Sequence, residues 1–285
     1  MLKKNNFYIQ IIYIFIGICI AILLYILCSL IYKIYTIEKF TEDYIEIERE
    51  QIDVYVINLA KNKDRLDLIT HLYNKSDLKN IPFIRIDAIN GKEIDVEPYV
   101  TPRVYSGIVD IENNNGQRYH HSQITRGAVG CYLSHLKIYE QIQQSYDSKP
   151  YALILEDDAW FNENIYKSGI RYLYKNIPQD WDIVLLGKID RDIIPHENYL
   201  EMREFWGTHG YIITKNGVHK MLQNANIPIN DQIDAVMGKL SRENIIKIYG
   251  TKQQYISANN SFGSEIQMPI TQKEGINPDN DHHHK

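Results

Sequence analysis

The amino-acid sequence predicts an α/β domain with a mainly parallel sheet, preceded by one membrane-spanning helix. Short apolar runs bounded by turn residues alternate with stretches of helical periodicity, which is typical of a sheet flanked by helices. An almost unbroken apolar run covers residues 7–32 near the N-terminus. One of the later apolar runs ends directly in three acidic residues, Glu156, Asp157 and Asp158, at the kind of position where α/β sheets bind ligands.

Composition narrows the class of protein. With 285 residues and 44% hydrophobic side chains, the chain can form one full-sized α/β domain or two small ones. The net charge of −5 argues against a nucleic-acid partner, because binding a phosphate backbone needs a basic surface. Cys19 and Cys28 lie in the apolar run, which leaves Cys131 without a disulfide partner or a CxxC metal motif. The globular part must therefore be held together by its core.

The apolar run of residues 7–32 is predicted to anchor the chain in a membrane, because it exceeds the roughly 20 residues that a spanning helix needs. The alternative is a cleaved signal peptide, but the run is longer than the apolar part of such a peptide and lacks a small-x-small cleavage site. Lys3 and Lys4 before the run balance Lys33 and Lys39 after it. Because a short tail precedes the run and a large domain follows, we predict a type II protein with its domain outside or in an ER/Golgi-like lumen.

Four segments are predicted along the chain. Residues 1–35 form a cytoplasmic tail and the membrane anchor, and the Glu-rich residues 36–52 form a short stem. Residues 53–266 form the globular domain, and the polar, Pro-containing residues 267–285 form a disordered tail. The functional residues are therefore expected within residues 53–266.

The globular domain begins with a buried strand, which the apolar run at 53–59 predicts. Residues 64–73 follow with helical character, and a second strand is predicted at 82–88. Turn residues at 90–91 close that strand. Residues 92–125 show no clear period and are predicted to form a long loop region.

The central part of the domain contains the strand that ends in the acidic residues. Apolar residues recur at helical spacing over 128–144, which predicts a helix. Residues 151–155 and 182–187 each predict a buried strand, and a helical stretch is predicted between them near 165–175. The acidic triplet is thus the carboxyl end of a buried strand.

The last part of the domain continues the alternation. Residues 210–214 predict a strand, and Thr214 is placed to cap a helix that runs to residue 225. A further helix is predicted at 231–240 and a late strand at 244–250. These elements together predict the parallel α/β sheet.

The acidic triplet is a candidate metal site. Strand alternation places Glu156 and Asp158 on one side and Asp157 on the other. Two carboxylates at a strand end suit Mg²⁺ or Mn²⁺, and such a cation can hold a diphosphate. The alternative is a solvated acidic turn. The motifs GxxxxGK[ST] and GxSxG are absent from the sequence, which argues against a P-loop enzyme and a serine hydrolase.

Seven segments occur in an order that matches a known family. They are VINLAKNKDR (56–65), IDAINGKEI (86–94), TRGAVGCYLSHLKIYE (125–140), ALILEDDAWF (152–161), WGTHGYIITKNGVHKML (206–222), PINDQIDAVM (228–237) and QQYISANNSFGSEI (253–266). No segment is specific by itself, but their ordered combination resembles glycosyltransferase family 25, which includes lipooligosaccharide and collagen galactosyltransferases. The resemblance covers roughly residues 53–266.

The resemblance implies a GT-A-like fold and a UDP-sugar donor, most often UDP-galactose. It also implies a divalent cation, commonly Mn²⁺, and inversion at the anomeric carbon. By resemblance, Glu156, Asp157 and Asp158 are the counterpart of the family's DxD motif for metal and nucleotide sugar. Ser134 and His135 match the family's SH-bearing helix.

Four residues are predicted to meet the metal or the sugar. Glu156 and Asp158 are the predicted metal-site residues. His209 is a further candidate that faces the donor or the metal, with a structural role in its strand as the alternative. Asp157 is predicted to bind hydroxyl groups of the ribose or the donor sugar.

Five other residues are predicted to border the nucleotide. By resemblance, Asn58 and Arg65 lie in the first nucleotide-facing strand and the turn after it. Arg65 suits a phosphate, with an ion pair to Asp64 or Asp67 as the alternative. Asp87 lies at a strand end, where it either holds the nucleotide or caps a turn. The family's late Q…S pattern adds two residues, Gln254 and Ser264.

An inverting transfer requires a base that takes the proton of the acceptor hydroxyl as it attacks. Asp231 and Asp234 lie three residues apart in the family's late acidic segment and are the predicted catalytic residues, with the choice between them left open. Their alternative role is to stabilise the start of a helix. His135 and Cys131 fall on the apolar face of their helix and are predicted to belong to the core.

The sequence thus predicts a metal-dependent inverting glycosyltransferase that moves a hexose, galactose by resemblance, to a hydroxyl. The acceptor is a glycan, a lipid-linked glycan or a hydroxylated protein, and UDP-glucose is the alternative donor. Two other classes stay open: a catalytically silent family member that binds sugar or a partner, and a metal-dependent phosphohydrolase. Tight metal-dependent UDP binding without transfer would indicate the silent member, and release of phosphate from UDP would indicate the hydrolase.

Overall fold

The structure is a computed structural model that describes residues 16–33, 46–120, 122–259, 261 and 263. The chain divides into two compact units, Met1–Glu46 and Ile47–Lys285. The predicted disordered tail, the predicted cytoplasmic tail and most of the predicted stem lie outside the described residues.

The described part of the first unit includes one long apolar helix, α1 (Ile16–Lys33). Its 18 residues have a mean hydropathy of 2.3, and none of them is buried. By length and composition this helix can cross a bilayer, and a signal sequence near the N-terminus would pass the same test. Membrane anchoring therefore stays a prediction.

The second unit is built on a six-stranded sheet. The six strands of the large sheet are β1 (Ile52–Asn58), β2 (Phe83–Asp87), β3 (Tyr151–Glu156), β5 (Ile183–Pro195), β6 (Tyr199–Thr214) and β7 (Ile248–Thr251). A separate two-stranded sheet consists of β4 (Ala159–Phe161) and β8 (Ile256–Ala258). The order in the large sheet is β2-β1-β3-β6-β5-β7. Parallel pairs join β1 to β2 and β3, and β5 to β7, whereas β6 runs antiparallel to its neighbours. Five of the six strands therefore run in one direction.

Helices cover both faces of this sheet. They are α2 (Lys63–Lys75), α3 (Pro102–Asn113), α4 (Arg126–Gln144), α5 (Leu173–Asn176), α6 (Lys215–Asn224) and α7 (Ile233–Arg242). In β1, Tyr55 and Ile57 belong to one hydrophobic cluster, and Val54 and Val56 belong to the other, because successive strand residues point to opposite faces. Helices α3, α4, α6 and α7 pack on the first face and α2 on the second. The predicted α/β class, with a mainly parallel sheet flanked by helices, is confirmed.

The prediction that residues 92–125 form a long loop region is wrong, because α3 lies within this segment. Thr101 caps α3 by accepting a hydrogen bond from the Val104 backbone N–H, and proline occupies the first turn. Val104, Ile108 and Ile111 are buried at spacings of four and three residues, which is helical. A short apolar stripe in a polar segment was therefore a sufficient signal for this helix.

Other elements differ from the predictions in their extent. Strands β5 and β6 continue well beyond the predicted residues 182–187 and 210–214, because their outer parts pair in a hairpin with several register shifts. This hairpin is mostly exposed along β5, whereas Leu200, Met202 and Phe205 are buried along β6. The stretch predicted as helical at 165–175 is a π-helical turn, Tyr166–Ile170, followed by α5. Helix α7 begins two residues after the predicted Asp231. Thr214 caps α6 as predicted, by accepting from the Gly217 backbone N–H.

Candidate functional site

A cleft opens where the parallel strands β1, β2 and β3 end. It has an empty volume of about 640 Å³ and is lined by residues that follow these strands and by the N-terminal half of α4. Glu156, Asp157 and Asp158 all line it, as do Asn58 and Arg65. The structure therefore brings five of the predicted site residues to one cleft at the predicted edge of the sheet.

A close approach between α4 and the loop after β2 shapes one wall of the cleft. A Cβ atom on Gly91 would clash with the Arg126 carbonyl, and one on Gly130 would clash with the Ile89 carbonyl. Ser134 fastens the same contact, because its Oγ atom accepts from the Ile89 backbone N–H at 2.9 Å. This packing brings the first two turns of α4 to the carboxyl end of the sheet.

Glu156 is held by two residues from different elements. Its Oε1 atom accepts a hydrogen bond of 2.5 Å from the Thr208 hydroxyl of β6, and His135 Nε2 of α4 lies 3.5 Å from the same oxygen. Burial raises the pKa of Glu156, but His135, the charge of His209 and the Thr208 hydroxyl together lower it to about 2. Glu156 is therefore ionised at neutral pH.

Asp157 is held by the two residues that the resemblance placed beside the nucleotide. Asn58 Nδ2 donates to Asp157 Oδ2 at 2.8 Å, and Arg65 Nη1 donates to Asp157 Oδ1 at 3.1 Å. Arg65 is therefore paired with Asp157 and not with Asp64 or Asp67 of its own helix. Its Nη2 atom also donates to the Gly263 carbonyl at 2.6 Å. Burial still raises the pKa of Asp157 despite these contacts.

Asp158 has the least compensation of the three carboxylates. Burial and the charges of Glu156 and Asp157 raise its pKa to about 7. Its buried Oδ1 atom has no hydrogen-bond partner among the residues that the structure describes. A buried carboxylate oxygen without a partner, beside two further carboxylates, is the environment in which a hard divalent cation is stabilised. The residues present therefore fit a Mg²⁺ or Mn²⁺ ion.

His135 and Cys131 have positions that sequence reasoning did not foresee. His135 is buried, as expected of a core residue, but it also lines the cleft together with Cys131. One ligand atom from each of Cys131, His135 and Glu156 lies within 4.8 Å of the others. Burial raises the pKa of the Cys131 thiol well above its usual value, so the thiol stays protonated and is a weak ligand for a hard cation. The only sequence signal was the four-residue spacing of Cys131 and His135.

His209 of β6 and Asp234 of α7 both interact electrostatically with Glu156. The charge of His209 lowers the pKa of Glu156. Asp234 Oδ2 accepts from the Gly207 backbone N–H at 3.0 Å, and burial, with a contribution from the charge of Glu156, raises the pKa of Asp234. Asp231 is exposed just before α7, and its Oδ1 atom accepts a hydrogen bond from the Gln232 backbone N–H.

Two predicted nucleotide residues, Asp87 and Gln254, do not line the cleft, and a third lies outside the described residues. The carboxylate of Asp87 is exposed and pairs with Arg85 Nη2 at 3.1 Å, so it contributes no lining atom. Gln254 is exposed in the turn before β8 and does not line the cleft. Ser264 lies outside the described residues.

The segment around β8 supports the backbone of the triplet. Strand β8 pairs with β4, which directly follows the triplet, and the Asn259 N–H donates to the Asp158 carbonyl at 2.7 Å. Upstream of β8, the Tyr255 N–H donates to the Leu186 carbonyl at 2.9 Å. Residues 255–259 therefore hold the backbone that follows β3 in place.

Comparison with known proteins gives one family match and several relatives. The family model described as "Glycosyltransferase family 25 (LPS biosynthesis protein)" matches residues 51–197, slightly more than half of the chain. Procollagen galactosyltransferase 2 of Homo sapiens is 27% identical over 183 residues, which are 60% of this chain and 27% of that protein. Procollagen galactosyltransferase 1-B of Xenopus laevis is 28% identical over 184 residues, 60% of this chain and 28% of that protein. The match therefore spans little more than a quarter of the length of these relatives.

Among solved structures, the crystal structure of GalNAc-T7 with UDP, GalNAc and Mn²⁺ is similar at a TM-score of 0.43 and 10% sequence identity. The similarity covers 73% of this chain and 43% of that one. This likeness is too slight to say anything about the site. The family model, by contrast, covers the first three strands, the acidic triplet and the SH-bearing helix. The chain therefore belongs to glycosyltransferase family 25.

Proposed function

We propose that this chain is a metal-dependent glycosyltransferase that moves galactose from UDP-galactose to a hydroxyl group, with inversion at the anomeric carbon. The observation that carries the proposal is the group of three carboxylates at the end of β3, in a cleft, with a buried Asp158 oxygen that has no partner among the described residues. The names of the family-25 relatives, procollagen galactosyltransferases, support galactose as the sugar. The acceptor is a glycan, a lipid-linked glycan or a hydroxylated protein side chain.

Glu156 and Asp158 are the proposed ligands of the Mn²⁺ or Mg²⁺ ion, with His209 as a further candidate. Glu156 is ionised and positioned by Thr208, and the Asp158 carboxylate has an oxygen to offer. When bound, such a cation offsets the negative charge that develops on the departing diphosphate. The clustering of carboxylates favours a hard cation over a soft one.

Arg65, Asn58 and Asp157 form the proposed nucleotide side of the cleft. The Arg65 guanidinium lines the cleft and brings a positive charge that favours a diphosphate there. Asn58 and Arg65 hold the Asp157 carboxylate in place, so that a sugar or ribose hydroxyl meets an acceptor of fixed position. The exposed Asp87 and Gln254 contribute less to this proposal than the sequence alone suggested.

Asp234 is the better of the two candidates for the base. Its carboxylate is close enough to Glu156 for the two charges to affect each other, and burial raises its pKa toward the range of a useful base. The Gly207 N–H holds one of its oxygens. Asp231 lies exposed one turn earlier, so a role in binding the acceptor suits it better than proton transfer.

We also propose that α1 anchors the protein in a membrane, with the second unit outside or in an ER/Golgi-like lumen. The 18 residues of the helix have a mean hydropathy of 2.3, and the helix is long enough to span a bilayer. Protease protection in sealed vesicles tests the orientation, since a lumenal domain is digested only after detergent is added.

The experiment that tests the activity uses the full chain in detergent and a panel of UDP-sugars. We expect release of UDP from UDP-galactose that depends on Mn²⁺ or Mg²⁺, with loss of at least about 100-fold in Asp158→Asn because a cation contributes several kcal/mol at such sites. Asp147→Asn is the matched control, because it removes an exposed carboxylate in the turn after α4.

Each rival function gives a different result in the same assay. Tight metal-dependent binding of UDP with no transfer or hydrolysis of any sugar nucleotide would support the silent family member. Phosphate released from UDP would support the phosphohydrolase. Full activity of Asp158→Asn would refute the metal assignment.

A further inference from the structure

We propose that His135 is a positioning residue for Glu156, and that a buried chain of two tyrosines fixes its imidazole with the proton on Nε2. The inference rests on the proposed function in one respect, since it takes Glu156 to be a ligand of the divalent cation. It concerns a residue that was predicted from the sequence to belong to the core, and it assigns this buried side chain a role in orienting Glu156.

The chain of contacts joins α4 to β6. Tyr139 Oη lies 2.6 Å from Tyr211 Oη, and Tyr211 Oη lies 2.8 Å from His135 Nδ1. The His135 and Tyr211 rings are stacked, with centroids 5.7 Å apart. All three side chains are fully buried. Because no bulk water reaches them, each polar atom depends on its neighbour in the chain.

The carboxylate of Glu156 decides the direction of these hydrogen bonds. If Nδ1 carried the only proton of the imidazole, the lone pair of Nε2 would face Glu156 Oε1 at 3.5 Å, which is repulsive. If the proton is on Nε2, that N–H points at the carboxylate, and Nδ1 accepts from the Tyr211 hydroxyl. Tyr211 Oη then accepts from the Tyr139 hydroxyl. Each hydroxyl of the chain then donates one hydrogen bond, and the Nε2 N–H faces Glu156 Oε1, which lies slightly beyond normal hydrogen-bond distance.

The consequence for Glu156 is a fixed orientation. The Thr208 hydroxyl and the His135 imidazole both approach Oε1, from β6 and from α4. Oε2 is therefore the oxygen that a ligand in the cleft can take. The distance of 3.5 Å from His135 is longer than a normal hydrogen bond, and a small shift of Glu156 toward its ligand position would adjust it. Residues that orient metal ligands in this way typically change metal affinity about 10- to 100-fold when they are replaced.

Two isosteric variants separate positioning from packing. The side-chain amide of His135→Gln can place an N–H where Nε2 lies, whereas that of His135→Asn reaches only the position of Nδ1. We expect Mn²⁺ affinity, measured by electron paramagnetic resonance on the full chain without UDP, to stay within about threefold of wild type in His135→Gln. In His135→Asn we expect it to fall by about 10- to 100-fold. Thermal unfolding of both variants checks that they fold.

Several outcomes would overturn the proposal. Equal loss of Mn²⁺ affinity in the Gln and Asn variants would show that only the shape of the imidazole matters. Unchanged affinity in both folded variants would show that Glu156 does not need His135. If both variants fail to fold, Tyr211→Phe takes their place, and unchanged Mn²⁺ affinity in that variant would equally refute the chain.

A second measurement does not depend on the metal or on activity. In protein labelled with ¹⁵N-histidine, the nitrogen shifts of His135, assigned by the loss of its signals in His135→Gln, report which nitrogen carries the proton. We expect protonated Nε2 and unprotonated Nδ1 in the metal-free protein, with a shift of the Nδ1 signal in Tyr211→Phe. A proton on Nδ1, alone or together with one on Nε2, would contradict the inference. Failure of wild-type protein to bind Mn²⁺, with the expected tautomer present, would instead count against the proposed function.

Discussion

Within the acidic triplet, Asp157 differs from Glu156 and Asp158 in how neighbouring groups compensate the charge of its carboxylate. Asp157 is paired with a buried guanidinium, Arg65, and bonded by the Asn58 amide. Glu156 has a hydroxyl and an imidazole beside it, and Asp158 has a buried oxygen without a partner among the described residues. Asp157 is thus held by an ion pair within the domain, whereas Glu156 and Asp158 are the proposed ligands of a cation. The difference separates a carboxylate whose counter-charge is a protein side chain from carboxylates whose proposed counter-charge is a bound metal ion.

The sharpest test of this difference compares Asp157→Ala with Asp158→Ala. Removing Asp157 takes away the carboxylate with which the buried Arg65 guanidinium forms its ion pair, so we expect a loss of about 3 kcal/mol in the free energy of unfolding. Removing Asp158 relieves repulsion among buried carboxylates, so stability should stay the same or rise. Urea unfolding of the full chain, followed by tryptophan fluorescence, measures both.

A variant that removes both members of the ion pair between Asp157 and Arg65 is a control for this comparison. The double variant Asp157→Ala, Arg65→Met removes both partners and should recover part of the lost stability, because the cost of burying the guanidinium is removed together with its ion-pair partner. Equal losses of stability in Asp157→Ala and Asp158→Ala would show that the two carboxylates are not different in kind.

The pH dependence of stability should reveal the raised pKa of Asp158. The pKa of Asp158 is raised from its ordinary range near 4 to about 7 in the folded protein, so the folded state binds the proton more tightly than the unfolded state. In the absence of divalent cation, the stabilising effect of that proton is fully present below about pH 4 and is lost as the pH rises to about 7. Asp158→Asn should lack this component, so the wild-type curve should fall relative to that of the variant between these values.

Addition of Mn²⁺ should reverse the sign of this dependence in the wild type, because the cation binds the ionised carboxylates. The measurement is the urea midpoint at closely spaced pH values, with and without the cation. Parallel curves for wild type and Asp158→Asn without metal would show that Asp158 titrates normally.

The parts of the site that the sequence predicted are those with local signals. An apolar run that ends in acidic residues predicts the end of a strand, and Glu156 and Asp158 lie at the end of β3, where they line the cleft. The pairing of Arg65 with Asp157 joins residues 92 positions apart. Nothing in the neighbourhood of Arg65 distinguishes that partner from Asp64 or Asp67, so the sequence offered the wrong aspartates.

His135 illustrates a different limit. Its helical spacing correctly predicts that it is buried, but the sequence does not say whether its neighbours are apolar or polar. Tyr211 of β6 and Glu156 of β3 both contact His135. The two strands are neighbours in the sheet, where β6 pairs antiparallel with β3, and this pairing is not evident from the sequence. The outer hairpin of β5 and β6 was missed for another reason. Its β5 part is mostly exposed and lacks regular apolar alternation, and the alternation of the buried Leu200 and Met202 in β6 is short.

The smallest effect that the comparison predicts is at the far end of the His135 chain. Tyr139→Phe removes the hydroxyl that donates to Tyr211 and leaves the contact between Tyr211 and His135 in place. We expect a loss of about 1 kcal/mol in the free energy of unfolding, the usual contribution of one buried hydrogen bond. Mn²⁺ affinity should stay close to that of the wild type, because Tyr211 still contacts Nδ1 and holds the imidazole with Nε2 facing Glu156. Tyr146→Phe, which removes a hydroxyl from a side chain that is 99% exposed, is the control and should change neither quantity. If Tyr139→Phe lowers Mn²⁺ affinity as much as Tyr211→Phe does, the tyrosines act on Glu156 by packing α4 against β6, and the hydrogen-bond direction we infer has no part in it.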